Sequence, residues 1–312
     1  MEQLTSHIMM VRPAHFGFNE QTAVNNSFQS KNESPDTDWL KNIARDEFDR
    51  MVQTLTSRGI RVMVVEDTAD PVKPDAVFPN NWISFHEGGV VVTYPMFAPN
   101  RRIERREDII DMVEKNYKVQ NRYSLEFFEN DDDPLILEGT GSMILDRPNG
   151  IVYACISQRT NPLLLDKFNV LLGTRSVLFK SVDRNGGEVY HTNVMMALGE
   201  DFVVICLESV PSARSKEELL ASFKATGKEV VEISMSQMEA FAGNMLEVRS
   251  KDGTRYLCLS QTAYDSLDES QKSRLSDRTN LLPIAIPNIE KYGGGSVRCM
   301  MAEIFLEPKQ KG

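Results

Sequence analysis

Apolar and polar positions along the chain repeat one local order: a hairpin of two apolar strands, a stretch with apolar residues at helical spacing, then one more apolar strand. Trp82–Phe85 and Val90–Tyr94 flank the turn His86–Gly89, ahead of a charged helix from Arg101 to Asn116. Ser142–Leu145 and Ile151–Ile156 flank Pro148–Gly150, and are followed by a helix over Pro162–Leu172 and a strand at Ser176–Phe179. Val194–Leu198 and Phe202–Leu207 flank Gly199–Asp201, before a helix near Lys216–Thr226 and a strand at Glu229–Ile233. Met245–Val248 and Tyr256–Leu259 flank Lys251–Gly253, before a helix near Ser266–Leu275 and a strand at Leu281–Ile286. The N-terminal part supplies a short strand ending at Val11, a helix over Asp38–Thr56 with Trp39, Leu40, Ile43, Phe48, Met51, Val52 and Leu55 on its apolar positions, and a strand at Arg61–Val65. The Asn- and Ser-rich segment Ser27–Asp36 reads as a surface loop.

One polar residue enters each hairpin or its counterpart: Asn81, Glu138, His191, Asn244 and Cys299, at intervals of 53 to 57 residues. No residue-by-residue identity accompanies the interval, so the repeat is one of architecture. A ring of such units would bring all the entrances to one central cleft.

Composition narrows the chemistry. Lys and Arg number 35 against 45 Asp and Glu, and a formal charge of -10 disfavours nucleic acid or an anionic membrane as the main partner. No apolar run nears the length of a membrane span, and Met1–Thr5 lacks the basic and apolar regions of a signal peptide, so a cytoplasmic location is expected. The four cysteines show neither a disulfide framework nor metal-ligand spacing. Cys155, Cys206 and Cys258 lie inside apolar strands as core residues.

Cys299 differs. It follows Gly293-Gly294-Gly295, where a backbone can approach a ligand closely, and precedes an apolar run to Leu306 that reads as a buried strand. A cysteine attacks as its thiolate, and the adjacent Arg298 or an imidazolium could favour that form.

With Glu138 in Leu137-Glu138-Gly139-Thr140-Gly141, His191 in His191-Thr192-Asn193 and a cysteine near the C-terminus, the chain from Arg12 to Leu306 resembles the pentein superfamily of amidinotransferases and arginine deiminases. Within it, the sequence looks most like the bacterial citrulline-utilisation hydrolases of amidinotransferase type. The resemblance implies an α/β fold: a five-bladed β/α-propeller of ββαβ-type modules about a pseudo-fivefold axis, with residues 1–312 as one catalytic domain. It implies Cys299 as nucleophile, His191 as general acid and base, and Glu138 as a carboxylate bonding the substrate nitrogens. Arg159, in Ser157-Gln158-Arg159-Thr160, matches a segment whose Arg binds the substrate's carboxylate. From the cluster Arg101, Arg102, Arg105 and Arg106 a second such residue could come.

The sequence departs from the arginine deiminases at two carboxylates that neutralise a guanidinium there. Asn193 and Asn81 stand at those positions. A buried cation requires paired charge, whereas a neutral urea needs a donor for its oxygen and acceptors for its N–H groups, both of which an amide offers. Citrulline is therefore expected over arginine, with hydrolysis through an S-carbamoyl cysteine to ornithine, carbon dioxide and ammonia, a cycle expected to need neither a metal nor an organic cofactor. Asp75 and Glu138 keep a guanidino substrate open, as do an arginine-directed deiminase or amidinotransferase and a non-catalytic scaffold of the same fold. The expected partner is a small ureido or guanidino amino acid, and self-association is left open.

Overall fold

The computed structural model describes residues 1–26, 28–29, 36–130 and 132–310. The expected loop Ser27–Asp36 lies largely outside them. Strand β1 (His7–Arg12) pairs in parallel with β2 (Arg61–Glu66), and helix α1 (Thr37–Ser57) connects the two, because a parallel pair needs a crossover. Asp36 caps α1 by accepting from the N–H groups of Asp38 and Trp39. Leu40, Ala44, Phe48, Met51 and Leu55 form its buried face, while Trp39, one position ahead of that stripe, is exposed.

Four further sheets repeat hairpin, helix and parallel strand. In the first, β3 (Ile83–His86) and β4 (Val90–Thr93) pair antiparallel, and β5 (Asn121–Ser124) joins β4 in parallel after α2 (Glu107–Asn116). Three residues, Glu87–Gly89, turn the hairpin, and Gly88 and Gly89 take φ of 77° and 74°, positive values that glycine adopts without steric cost. The next comprises β6 (Ile144–Asp146), β7 (Ile151–Cys155) and, after α3 (Pro162–Leu172), β8 (Arg175–Phe179). Then come β9 (Met196–Leu198), β10 (Phe202–Ile205), α4 (Ala213–Ala225) and β11 (Glu229–Glu232). The last of the four holds β12 (Leu246–Arg249), β13 (Arg255–Ser260) and β14 (Asn280–Ile284), with α5 (Gln261–Ser266) and α6 (Glu269–Ser276) between the last two. Helix α7 (Pro287–Gly293) leads to β15 (Ala302–Glu303), which pairs antiparallel with β1 and so completes the first sheet from the other end of the chain. Among the described residues, the five sheets share one internal order, with the middle strand flanked by an antiparallel and a parallel neighbour.

Three expectations need correction. The charged helix from Arg101 is two pieces, Pro99–Arg102 and α2, and the helix near Ser266–Leu275 is likewise divided by the cap of α6 at Asp268. The apolar run after Cys299 is strand only at Ala302–Glu303, because Val297–Met300 forms a 3-10 turn. Similar single turns, Pro79–Asn81, Gly139–Ser142 and Thr192–Met195, precede β3, β6 and β9, and neighbouring turns pack on one another. Cys155, Cys206 and Cys258 are buried in the apolar cores, as expected. Among the described residues no helix is long and apolar enough to cross a membrane.

Candidate active site

Asn81, Asn244 and Cys299 sit in turns that lead into an edge strand of a sheet, and Glu138 and His191 each stand immediately before such a turn. The turns meet, so residues more than two hundred positions apart become neighbours. His191 and Cys299 line one narrow cavity with Asp75, Phe78, Asn81, Arg101, Arg159 and Tyr190. The cavity measures about 20 Å³, space for about one water.

The Cys299 thiol is 5% exposed and lies 3.3 Å from two amide nitrogens, Nδ2 of Asn193 and Nδ2 of Asn244. Nδ2 of Asn244 also donates to the backbone oxygen of Asn193 at 2.9 Å, and its Oδ1 accepts from the backbone N–H of Arg298 at 3.1 Å. These two backbone partners fix the amide so that Nδ2 is the end nearer the sulfur, while Oδ1, 3.7 Å from it, can accept from the neutral thiol.

His191 is buried, and its Nε2 lies 2.7 Å from Oε2 of Glu138. Burial, the largest influence, pulls the imidazole down to about 4, against the raising effect of Glu138. Burial alone would raise the Glu138 carboxyl, but Arg159, the His191 hydrogen bond and Arg101 outweigh it and hold the group well below the ordinary carboxylate range. An ionised Glu138 accepts, so the proton of the neutral imidazole sits on Nε2 and Nδ1 is left as a base. Oε1 of Glu138 accepts from the backbone N–H of Phe97 at 2.9 Å. Glu138 therefore stands behind His191 with both oxygens engaged, rather than facing the cavity as a direct contact for substrate nitrogens. Gly141 permits this packing, since a Cβ there would come within 2.4 Å of Asn81 Nδ2 and 2.8 Å of the His191 ring.

Arg101 is the member of its cluster that points inward. Its Nη1 donates to Asn81 Oδ1 at 2.8 Å, and its Nε and Nη2 engage Glu104 at 2.8 and 2.9 Å. The bond from Arg101 identifies the Asn81 oxygen as acceptor and turns its Nδ2 away, buried and without a hydrogen-bond partner. Asn193 Oδ1 and Asp75 Oδ1 are buried and unpartnered as well. Asp75 is anchored through Oδ2 by Asn19 Nδ2 at 2.8 Å, and burial pushes its carboxyl up against the influence of Arg101.

Arg159 is buried beneath residues of the N-terminal segment. Its Nε donates to Asn25 Oδ1 at 3.0 Å, its Nη2 to the same oxygen and to the backbone oxygen of Thr22 at 2.9 Å, and its Nη1 reaches Glu138 at 3.5 Å. The guanidinium edge that would clasp a carboxylate is thus held by Asn25. Arg298 turns from the thiol, donating to Met301 and Glu303, both at 2.9 Å. The sequence does not single out Asn244 or Tyr190 as site residues, and it offers Arg101 only as one of a cluster of four arginines. The signal for Asn244 was its place in the modular register. For Arg101 and Tyr190 nothing in the pattern set them apart from their neighbours. Among the described residues, no three His, Cys, Asp or Glu side chains converge in an arrangement that could hold a metal ion.

The order of elements and this cleft define a member of the pentein superfamily. The model of the family described as N,N dimethylarginine dimethylhydrolase, eukaryotic, matches residues 12–306, and the chain belongs to that family. No curated protein matches the chain in sequence. Among solved structures, ArgZ, an arginine dihydrolase from the ornithine-ammonia cycle in cyanobacteria, superposes with a TM-score of 0.74 at 18% identity over 97% of this chain and 41% of that one. A variant of its N-terminal domain covalently bound to a reaction intermediate gives 0.74 at 17% identity, over 96% of this chain and 98% of the domain. An adduct of a dimethylarginine dimethylaminohydrolase variant with S-methyl-L-thiocitrulline gives 0.66 at 14% identity, over 97% of this chain and 100% of that one. These likenesses establish the fold. The present chain spans about two fifths of full-length ArgZ.

Proposed function

We propose that the chain is a single catalytic unit, its five modules disposed about a pseudo-fivefold axis, that hydrolyses the ureido group of citrulline or a close analogue through Cys299. The observation that carries this reading is a group of buried atoms at the site without a hydrogen-bond partner: one amide donor, Asn81 Nδ2, and three acceptors, Asn193 Oδ1, Asp75 Oδ1 and Gln29 Oε1. Buried polar groups are normally paired, and a planar urea offers one oxygen for the donor and N–H groups for the acceptors.

In the proposed cycle the Cys299 sulfur attacks the ureido carbon, and the C=O electrons move to the oxygen. His191, having taken the thiol proton at Nδ1, returns one to the alkyl nitrogen as the C–N bond breaks and ornithine leaves. The remaining S-carbamoyl group is attacked by water, which gives up its proton to His191. The C–S bond then breaks, the sulfur is released, and the carbamate decomposes to carbon dioxide and ammonia. Glu138 holds the imidazole in the tautomer that makes Nδ1 the base. The substrate's carboxylate takes the Arg159 edge now occupied by Asn25, so residues 19–26 must move aside for entry. The resemblance to citrulline-utilisation hydrolases supports the same substrate.

A guanidino substrate is the second reading, favoured by the free oxygen of Asp75 and by the family's relation to dimethylarginine hydrolysis. Incubation with citrulline, arginine and dimethylarginine in parallel separates the two: ornithine from citrulline supports the first, and citrulline released from a guanidino substrate supports the second.

A further inference from the structure

Asn244 holds a place that the proposed cycle leaves unused. It is 1% exposed and joins three turns at once: its Nδ2 donates to the backbone of Asn193, its Oδ1 accepts from the backbone of Arg298, and the sulfur of Cys299 lies 3.3 Å from the same Nδ2 and 3.7 Å from Oδ1. The His191–Asn193 turn and the Cys299 turn come from different sheets, and this one amide spans the gap between them.

The local backbone is shaped to allow it. Phe241, which begins the turn, has φ of 62°, a left-handed value uncommon for a bulky residue, and its oxygen accepts from Asn244 N at 2.8 Å. Gly243 lies so close to the neighbouring turn that a Cβ would come within 2.2 Å of the Val194 oxygen. A strained residue and an obligatory glycine on either side of one approach show that the turn is pressed against His191–Met195, and such features persist where the surrounding structure over-determines them.

We infer that Asn244 is a positioning residue for the nucleophile: it fixes the sulfur relative to the His191 turn and donates an N–H to the thiolate, together with Asn193. This rests on the hydrolase reading for its purpose, but it concerns the thiol and can be read without turnover. A sulfur anion needs donors more than a neutral thiol does, so removal of one donor weakens the anion selectively.

The test is the rate at which iodoacetamide alkylates Cys299, followed by mass spectrometry of its peptide, with Cys155, Cys206 and Cys258 as internal controls. Near neutral pH, Asn244→Ala should slow alkylation about tenfold, and in strongly alkaline buffer, where any thiol ionises, its rate should rejoin that of the unaltered protein. Asn244→Asp keeps an acceptor for Arg298 but lacks the N–H, and should slow alkylation at least as much. Asn244→Ser is read in the same way if neither of the others folds. A folded variant alkylated within about twofold of the unaltered protein near neutral pH overturns the inference. Failure of the unaltered protein to turn over citrulline or arginine would instead count against the hydrolase reading and leave this comparison intact.

Discussion

His191 Nε2 and Glu138 Oε2 lie 2.7 Å apart with both side chains buried, and this pair makes the folded protein sensitive to acid. The His191 imidazole is pulled from its ordinary 6.5 to about 4, chiefly by burial. Between those values the unfolded chain binds a proton that the folded chain does not. Stability from this group is fully present above about 6.5 and is lost, at up to about 1.4 kcal/mol per pH unit, as pH falls toward 4. Glu138, held below its ordinary range, acts with the same sign in stronger acid. Denaturant titrations across this window should show a shallower loss for His191→Ala than for the unaltered protein. Equal slopes would contradict the assignment.

By the resemblance to the arginine deiminases, Asn81 and Asn193 stand where those enzymes carry acids. Replacing both with Asp should lower kcat/KM for both substrates, because Asn193 also donates to the Cys299 sulfur, yet shift their ratio toward arginine by at least about tenfold, since a buried cation gains a paired charge while the urea oxygen loses its donor. Kinetics with both substrates check this. An unchanged ratio would show that these amides do not set selectivity.

Gly141 leaves the gap that His191 and Asn81 fill. Gly141→Ala should displace one or both and cut turnover by about a hundredfold, with destabilisation of about 1–3 kcal/mol. Paired measurements of kcat and thermal midpoint distinguish this from global unfolding, and full activity would show that the packing is not needed.

The Arg101–Glu104 pair is buried, and Arg101 also orients Asn81. Glu104→Ala leaves a charged guanidinium without its bidentate partner and should cost about 3–5 kcal/mol in denaturant unfolding. A cost below about 1 kcal/mol would mean that Asp75, 3.8 Å from Arg101 Nε, replaces Glu104 as the partner.

The modular order was legible because hairpin turns, helical spacing and apolar strands repeat, and because each unit opens on a polar residue. That register placed Asn81, Glu138, His191 and Cys299 correctly at the joining turns. It could not choose among Arg101, Arg102, Arg105 and Arg106, since the single turn Pro99–Arg102 that directs Arg101 inward is too short to show a periodicity. Nor could it show Asn19, Thr22 and Asn25 reaching over the site, because short polar side chains in a loop look alike until a buried partner such as Asp75 or Arg159 is placed beneath them. Arg298 adjoins the nucleophile in sequence, yet its side chain leads to Glu303, so adjacency along the chain gave the wrong neighbour.

The most direct measurement follows the carbon that Cys299 is held to attack. Citrulline labelled at its ureido carbon is incubated with the protein, the reaction is quenched in acid, and label is sought in carbon dioxide and on the Cys299 peptide. The account predicts labelled carbon dioxide in equal amount to ornithine, a labelled carbamoyl group on Cys299, and the loss of both in Cys299→Ala. Label remaining entirely in citrulline, while the same preparation consumes arginine or dimethylarginine, would contradict it.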